Sequence, residues 1–400
     1  MRRPLNHEIQ NATQPDGFTT GYKLSRMEHT RWRLLFVTWM IRRSPKPLEL
    51  GAAICMLLGV VVTEGVGGHG VVGTIRREPS HRAVGLRGDM DALPITELNE
   101  SLTYRSAVVG VMHACGHDGH TTALLGAAAL LQRDPDWNGT VQLIFQPAEE
   151  GGGGAHSMIA AGLFTRFPVD CIFGWHNWPG LSEGTIAVHQ SVVMAAGSGF
   201  KIVFEGKTGH AAMPHLARDP VLGAGHCIVA LQSIVARNVD PLDSAVVTVT
   251  KIQAGDGWNQ VSRTAELRGT VRYLRKETGD VVAAAIQRVA EGVAAALGLS
   301  AEVEIWRGVP VTENHPEARE VAAAAAATMT IVRRDLLPTM GGDDFSWFLQ
   351  EVPGAFVWIG DGSTANGCEL HSPFYDFNDA ILPVASRYLA AVAKSALATV

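Results

Sequence analysis

The greatest density of metal-binding side chains lies in the segment from His113 to His120, which reads HACGHDGH. It places three imidazoles, one thiol and one carboxylate directly ahead of an alanine- and leucine-rich stretch. Imidazole nitrogens and thiolate sulfurs are ligands that Zn²⁺ and similar divalent ions prefer. We therefore interpret the segment as a metal site. The alternative is that one cysteine and several histidines only fill space near the start of a helix.

A second candidate for metal chemistry is the adjacent pair Glu149 and Glu150. The pair follows a buried strand predicted over residues 140–145, and the glycines after it allow a sharp turn. Ligands of open α/β sheets bind at the carboxyl ends of the strands. One carboxylate of such a pair can bind a metal while the other takes a proton from water. The competing interpretation is a solvated pair of acids in a loop.

Three more predicted strands lead to acids or histidines: residues 83–86 to Asp89 and Asp91, residues 169–173 to His176, and residues 355–359 to His371. Each of these side chains taken alone is more often structural. The strand ends of one sheet converge on one crevice, however, so together they predict a single site.

Two further motifs carry less information. Residues 65–70 (GVGGHG) match the GxGxxG pattern of dinucleotide-binding proteins, but a strand-like stretch follows where that pattern requires a helix, so we do not predict nucleotide binding. Residues 206–215 form a glycine- and proline-bounded loop that contains His210 and His215. Such a loop could supply a proton donor or an oxyanion contact to a substrate, or it could be an ordinary surface loop.

The elements that must position these side chains alternate between short β-branched runs and alanine-rich helical stretches, which is typical of βαβ units. The predicted fold class is therefore α/β, with a mostly parallel sheet flanked by helices. A further strand is predicted over residues 71–75. The predicted helices cover residues 121–132, 156–161 and 380–397.

The pattern changes between residues 188 and 303. Two stretches there alternate apolar and polar side chains, as half-buried antiparallel strands do, and two are helical. The alternating stretches are residues 199–205 and 244–253, and the helical stretches are residues 220–237 and 278–297. We predict that residues 188–303 form a smaller α+β domain inserted into the larger one. The larger, metal-binding catalytic domain then consists of residues 1–187 and 304–400, of which residues 1–64 are atypical.

Composition excludes several classes of protein. The 400 residues are 46% hydrophobic, which is enough apolar content for the cores of two or three domains. A net charge of −6 without a basic block argues against a nucleic-acid partner or an anionic membrane surface. Five scattered cysteines without a CxxC pair indicate a reducing cytoplasm. The longest apolar run, residues 51–62, is shorter than the roughly 20 residues of a membrane-spanning helix. With no signal peptide at the start of the chain, we expect a soluble cytoplasmic protein.

Taken together, these motifs resemble those of the peptidase M20 family of dinuclear metallo-amidohydrolases, and in particular its aminoacylase branch, which includes hippurate hydrolases and auxin-conjugate hydrolases. The resemblance extends from residue 65 to the C-terminus, with the motifs in the expected order. The matching segments are GDMDALPITE (88–97), GVMHACGHDGHTTALLGAA (110–128), GTVQLIFQPAEEGGGGA (139–155), GWHNWPGLSEGT (174–185), GHAAMPH (209–215), GGDDFSW (341–347) and LHSPFYDFND (370–379). The resemblance implies a catalytic domain that holds two metal ions and a smaller inserted domain that acts as a lid and as a dimer interface.

The resemblance also implies roles for individual positions. The implied metal ligands are Cys115, His117, Glu150, His176 and His371. The implied catalytic residues are Glu149 as general base, Asp89 as an acid behind the metal site, and His210 as a lid histidine. In dimeric members that histidine reaches the substrate carbonyl of the neighbouring subunit. Asn259 is implied to contact the substrate carboxylate, although the sequence after it, QVSR, departs from the usual continuation.

The activity implied by the resemblance is metal-dependent hydrolysis of an N-acyl amino acid, of the hippurate or N-acetyl type, to a carboxylate and a free amino acid. Two divalent ions activate a water molecule, Glu149 removes its proton, and His210 helps to stabilise the oxyanion. Zn²⁺, Mn²⁺, Co²⁺ and Ni²⁺ all suit these donors. The implied assembly is a homodimer or homotetramer. A metallo-dipeptidase or carboxypeptidase remains an alternative, because a peptide differs from an acyl amino acid only beyond the scissile carbonyl.

The N-terminal region departs from the family. Residues 31–43 (RWRLLFVTWMIRR) are apolar and basic, where members of this branch usually begin with a helix and a characteristic turn. A shifted reading frame before about residue 64 and an unusual N-terminal extension are two explanations. The departure leaves a third functional alternative, a catalytically impaired family member that only binds its ligand.

Overall fold

The computed structural model describes residue 55 and residues 58–398. Residues 31–43, and most of the atypical region 1–64, lie outside this part of the chain. The two explanations for that region therefore stay predictions.

The strands of the described residues, in chain order, are β1 Val61–Val66, β2 Gly70–Arg77, β3 Ala83–Asp89, β4 Gly139–Gln146, β5 Cys171–Pro179, β6 Ile186–Ala187, β7 Val192–Met194, β8 Ala196–Glu205, β9 Gly209–His210, β10 Ala245–Ala254, β11 Gln260–Val261, β12 Thr264–Tyr273, β13 Ser300–Arg307, β14 Thr312–Glu313, β15 Val332–Arg333 and β16 Gly354–Gly362. The helices are α1 His117–Arg133, α2 Gly154–Ala160, α3 Leu163–Arg166, α4 Pro220–Leu231, α5 Ser233–Asn238, α6 Lys276–Leu297, α7 Pro316–Ala327, α8 Phe345–Glu351 and α9 Leu382–Ala398. Short 3₁₀ turns cover Pro214–Leu216, Ala365–Gly367 and Asp379–Ile381.

The larger sheet has the strand order β1-β2-β4-β3-β5-β16-β6-β15. Its central strands β4, β3, β5 and β16 run parallel, and β2 and β1 extend it in antiparallel fashion. Helices cover both faces, which is why the central strands are buried along almost their whole length. The predicted fold class, α/β with a mostly parallel sheet flanked by helices, is confirmed.

Each face of this sheet has its own apolar core. On one face, Leu124 of α1 and Leu389 of α9 pack with Val357 of β16. On the other, Met158 of α2 and Phe348 of α8 pack against the strands. Burying a side chain of this size stabilises the fold by about 1.5–3 kcal/mol. These two cores hold the strand ends, and the loops that follow them, in fixed positions.

The second sheet has the order β10-β12-β8-β13 and is antiparallel throughout. Helices α4, α5 and α6 pack on one face, where Phe200, Phe204 and Leu267 are fully buried. The strand β13 pairs with β8 as far as Arg307, past the predicted boundary at residue 303. A single helix predicted over residues 220–237 was wrong, because the chain forms α4 and α5 with a break at Gln232. The Ser233 hydroxyl beside this break donates to the Ala230 carbonyl, a contact that competes with helical backbone bonding.

Several predicted elements differ from the observed ones at their ends. The strand predicted over residues 169–173 continues to Pro179, so that His176 lies inside β5. The helix predicted to start at residue 121 starts at His117. Residues 65–70 span the end of β1, the hairpin turn at residues 67–69 and the start of β2, and a Cβ at Gly67 would lie 2.5 Å from the backbone of Met158. The glycines of this motif therefore serve a tight turn packed against α2.

One helix in the described part of the chain, Asp379–Ala398, is long and apolar enough to cross a membrane by length and composition alone. It is not a continuous apolar run in the sequence, because it contains Arg387 and Lys394. Within the protein, 61% of its most apolar window is buried. Its Tyr388 and Leu389 side chains are fully buried in the core that it shares with α1. Such burial is typical of a core helix.

Candidate metal centre

Parallel strands deliver the predicted site residues to one edge of the larger sheet. The strand β3 ends at Asp89, β4 leads into Glu149 and Glu150, and β5 carries His176 near its end. His371 comes from the loop that follows β16. Because the central strands run parallel, all of these residues arrive at the carboxyl side of the sheet.

The turn that holds Cys115 and His117 depends on the glycine between them. Gly116 has a φ of 87°, a left-handed conformation that glycine adopts without strain. A Cβ at this position would lie 2.5 Å from Asn177 Oδ1. Glycine therefore lets the turn at the start of α1 approach β5 closely enough for Cys115 to face His176.

Cys115, His117 and His176 form a buried cluster. Cys115 Sγ lies 3.4 Å from His176 Nε2. One ligand atom from each of the three residues lies within 4.8 Å of the other two. All three side chains are almost completely buried. A thiol and two imidazoles at such distances can share one cation.

Glu150 connects this cluster to His371. Glu150 Oε1 lies 3.2 Å from His371 Nε2 and 4.0 Å from His117 Nε2. Ligand atoms of Cys115, Glu150 and His371 also lie within 4.8 Å of one another. His371 has a φ of 64°, which is uncommon for a residue other than glycine, and such strain is often found at functional sites. The two ligand groups overlap at Cys115.

Backbone carbonyls determine which ring nitrogen of each histidine faces the cluster. His176 Nδ1 donates to the Asn177 carbonyl at 2.7 Å, and His117 Nδ1 donates to the Asp91 carbonyl at 3.0 Å. Because a carbonyl oxygen only accepts, Nδ1 carries a proton in both rings and Nε2 faces the cluster. His117 Nε2 is buried and makes no hydrogen bond with the residues that the structure describes. This orphaned nitrogen, among soft and borderline donors, fits a metal ligand.

Burial and neighbouring charges set the protonation of the cluster. Burial raises the pKa of the Cys115 thiol to about 12, so a thiolate at this position needs a cation beside it. Burial, and next His120, hold the pKa of His176 well below its ordinary value, which keeps the ring neutral. In His117, burial lowers the pKa, but Asp89, Asp91 and Cys115 together raise it by more, and the net pKa lies well above the ordinary value. A metal ion that binds here must therefore displace protons.

Glu149 lies beside the cluster. Its ligand atoms lie within 4.8 Å of those of His117 and Glu150. Its Oε1 atom accepts a hydrogen bond from the Asp344 backbone N–H at 3.4 Å. Burial, and next the negative charge of Asp343, raise the pKa of Glu149 well above its ordinary value. A carboxylate with a raised pKa takes a proton from water more readily, which suits a general base.

Asp89 is fully buried beneath the cluster. Its carboxylate lies 2.7 Å from Arg87 Nη1, 2.5 Å from His120 Nδ1 and 3.6 Å from His117 Nε2. Against the effect of burial, Arg87 and both histidines hold the pKa of Asp89 well below its usual range. The carboxylate therefore stays ionised and fixes the orientation of the side chains around it.

Arg87 is a buried guanidinium to which the sequence analysis gave no role. It donates to Gln146 at 2.8 Å, to Asp343 at 3.1 Å and to Asp344 at 3.4 Å. Burial, opposed by Arg87, raises the pKa of Asp344 to about 7. A charged residue inside the apolar strand AVGLRGD was the one local signal that could have indicated a buried ion pair. That signal does not name the partners.

Two predicted residues lie apart from the cluster. His210 and Asn259 are exposed neighbours where β9 pairs with β11. The Ala211 N–H donates to the Asn259 carbonyl at 3.0 Å, and His210 Nδ1 accepts from the Ala212 N–H at 3.1 Å. Within the described ranges, neither side chain bonds to any of the five predicted metal ligands. A role in catalysis for either residue therefore stays a prediction.

A sheet whose strand ends hold thiol, imidazole and carboxylate ligands beside a glutamate of raised pKa defines a candidate metallohydrolase. The chain belongs to the peptidase family M20/M25/M40, whose family model matches residues 85–395. The predicted family resemblance is thereby confirmed.

Relatives of known name share most of their length with this chain. It is 41% identical to the N-acetylcysteine deacetylase of Bacillus subtilis over 332 residues, and the matched region covers 83% of this chain and 86% of that protein. It is 40% identical to the hippurate hydrolase of Campylobacter jejuni over 340 residues, and the matched region covers 84% of this chain and 87% of that protein. The chain also resembles the crystal structure of the Bacillus subtilis YXEP protein, which is described as a dinuclear metal binding peptidase from the M20 family. The two structures superpose with a TM-score of 0.82 at 34% sequence identity, and the match covers 93% of this chain and 100% of that one.

Proposed function

We propose that this protein is a metal-dependent amidohydrolase that cleaves N-acyl amino acids to a carboxylate and a free amino acid. Relatives named for N-acetylcysteine deacetylation and for hippurate hydrolysis, 41% and 40% identical, support this substrate class. The observation that carries the proposal is the convergence of five potential metal ligands beside Glu149 at one edge of the sheet: Cys115, His117, Glu150, His176 and His371.

The donor set fits two divalent ions. Cys115 belongs to both ligand groups, and the two groups together would offer ligands to two neighbouring ions. Thiolate and imidazole suit Zn²⁺, Co²⁺ and Ni²⁺, and carboxylate also suits Mn²⁺. The description of the YXEP protein as dinuclear supports the number. We infer that the five side chains named above hold the two ions.

The protein side chains supply the proton transfers of the proposed reaction. When bound, divalent ions acidify water and stabilise negative charge on the scissile carbonyl oxygen. Glu149 takes a proton from the attacking water and returns it to the nitrogen of the leaving amine, and its raised pKa suits both steps. Asp89 keeps His120 and His117 in place through its buried contacts.

We infer that the second sheet and its helices form a lid and dimerisation domain. The predicted division assigns it residues 188–303, with the catalytic domain at residues 1–187 and 304–400, and the pairing of β13 supports an end nearer Arg307. Its edge strand β10 is largely exposed, as with Ile252, which is 52% exposed, and such an edge can pair with another chain. A homodimer or homotetramer is the proposed assembly.

His210 and Asn259 are the proposed substrate contacts of this second domain. Both are exposed and adjacent, which suits contact with a substrate held by another copy of the chain. His210 would stabilise the oxyanion, and the Asn259 amide would bind the substrate carboxylate.

All five cysteines are free thiols, which supports the proposed location in the reducing cytoplasm.

The experiment that tests the proposed function measures free amine released from N-acetyl, N-benzoyl and long-chain N-acyl amino acids and from free dipeptides. The protein is loaded with Zn²⁺, Mn²⁺ or Co²⁺, and a chelator is the control. We expect chelator-sensitive release from the acyl amino acids. Faster release from dipeptides would make the protein a dipeptidase instead. No release from any substrate by folded, metal-loaded protein would contradict the proposal.

A further inference from the structure

The loop that precedes α8 is attached to the strand ends through one carboxylate. Asp344 is buried, and both of its oxygens accept hydrogen bonds. Its Oδ1 accepts from Gln146 Nε2 at 2.6 Å and from Arg87 Nη2 at 3.4 Å, and its Oδ2 accepts from the Ala155 N–H at 3.0 Å. The side chain therefore ties the loop to β3, β4 and α2 at once.

The donors of this arrangement are fixed in direction. Arg87 Nε donates to Gln146 Oε1 at 2.8 Å. Since a guanidinium only donates, the amide of Gln146 must present its oxygen to Arg87 and its NH₂ group to Asp344. The amide cannot turn over without placing one donor against another. Asp344 is thus surrounded by groups that require an acceptor at each of its oxygens.

The backbone of the same residue holds Glu149. The Asp344 N–H donates to Glu149 Oε1 at 3.4 Å. Among the described residues, the Glu149 carboxylate accepts no other hydrogen bond. One oxygen is therefore held by the loop, and Oε2 is the oxygen left to receive a proton.

Repulsion between ionised carboxylates acts against this attachment. Carboxylate oxygens of Glu149, Asp343 and Asp344 lie within 4.8 Å of one another. Like charges at this distance repel, and they repel more strongly away from water. Arg87 contacts both aspartates and offsets part of this repulsion. If the loop moved, Glu149 would lose its N–H donor.

We propose that Asp344 is a positioning residue for the general base: its carboxylate fixes the loop so that its own backbone N–H holds one oxygen of Glu149. This inference rests on the proposed function, in which Glu149 transfers the proton. Asp344 contributes through Glu149, so its loss changes the rate of the chemical step and leaves substrate binding and the metal ligands in place.

The test is an exchange of hydrogen-bonding partners. In Asp344→Asn, the new NH₂ group must face either Gln146 Nε2 or the Ala155 N–H, so a donor meets a donor. Adding Gln146→Glu restores the match, because a carboxylate at position 146 accepts from the amide at position 344 and still accepts from Arg87 Nε. The double variant also has the net charge of the wild-type protein.

We expect Asp344→Asn to lower kcat between about 10-fold and 100-fold, the cost of a small misplacement of a reacting group, with KM within about twofold and the metal content unchanged. The double variant should recover most of the lost kcat. The assays are run above neutral pH, where Asp344 is ionised. Leu349→Ala is the matched control. Leu349 is buried in α8 beside the same loop, but its side chain packs in the apolar core between α8 and the larger sheet. It should lower the unfolding temperature and leave kcat unchanged.

Three outcomes would overturn the inference. The first is a wild-type kcat in folded Asp344→Asn, and the second is a double variant that regains its unfolding temperature but not its kcat. The third is a loss of kcat in Leu349→Ala equal to the loss in Asp344→Asn. If Asp344→Asn does not fold, the double variant decides, and a folded double variant as inactive as Glu149→Gln would contradict the pairing. Full activity in Glu149→Gln would instead overturn the proposed role of Glu149 as general base, on which this inference rests.

Discussion

Cys115 Sγ lies 3.4 Å from His176 Nε2, although the two residues are 61 positions apart in the chain. The contact forms because the left-handed turn at Gly116 approaches the end of β5, and because the Asn177 carbonyl holds the other nitrogen of the His176 ring. The fold therefore brings a soft donor and a borderline donor close to one point.

Cys115→Ala is expected to lower the metal content of the purified protein, because the thiol belongs to both ligand groups. Loss of a residue that only hydrogen-bonds to a metal ligand lowers metal affinity by roughly 10–100-fold. Loss of the ligand itself should lower metal affinity by more. Metal analysis after dialysis measures the effect. Cys227→Ala removes a buried cysteine from the core of the second sheet and should retain the wild-type content. Two ions per chain in Cys115→Ala would refute the site.

Glu149→Gln is expected to lower kcat by about 10²–10⁴-fold, the usual contribution of a general base, because an amide cannot take the proton. The metal content should not change, since Glu149 is not among the proposed ligands. Steady-state kinetics and metal analysis of the same sample provide both readings. Glu291→Gln, on the exposed side of α6, is the control and should behave as the wild type. An unchanged kcat in Glu149→Gln would assign the proton transfer to another group.

Removal of the metal ions with a chelator is expected to lower the unfolding temperature. An ion that binds only the folded state stabilises it by about 2.7 kcal/mol when its free concentration is a hundred times Kd. Thermal unfolding with and without chelator measures the shift, and adding the ion back should reverse it. Cys115→Ala should show a smaller shift. An equal shift in that variant would locate the stabilising ion elsewhere.

Gly119→Ala is expected to destabilise the protein by about 1–3 kcal/mol, the common cost of overpacking. Gly119 lies in α1 against Phe377, and a Cβ there would lie 2.3 Å from the ring. Gly225 in α4 is the matched control, because no atom lies within 4 Å of a Cβ placed there. Gly225→Ala should stabilise by up to about 1 kcal/mol through helix propensity. Urea unfolding of both variants should therefore give changes of opposite sign, and changes of the same sign would contradict the packing.

If His210 acts on the substrate of a second copy, two inactive variants should complement each other. A mixed oligomer of His210→Ala and Glu149→Gln chains contains a site with an intact Glu149 from one copy and an intact His210 from the other. We expect activity in the mixture that neither variant has alone. Co-refolding followed by the amine-release assay measures it. Inactivity of a mixed oligomer, shown to have formed by mass, would place His210 in the site of its own chain or outside catalysis.

The sequence by itself predicted the fold class, which the structure confirms, and through the family resemblance it named the candidate ligands. Apolar runs that end in Asp89, Glu149 or His176 predict strand ends, and parallel strand ends meet at one edge of a sheet. The HACGHDGH segment is informative because its ligands are close in sequence. Local periodicity was less reliable for the ends of elements, as in β5, which continues past His176 to Pro179. Strand length there depends on pairing with β16, a partner far along the chain.

Only the tertiary structure decided what surrounds these ligands. Arg87 and Asp343 are 256 positions apart, and no local pattern pairs them. Their contact follows from the order of β3 and β4 in the sheet and from the path of the loop before α8. The same holds for the carbonyl of Asp91, which turns Nε2 of His117 toward the cluster. The physical reason is that hydrogen bonds and ion pairs act over a few ångströms, and the folded chain alone determines which groups come within that range.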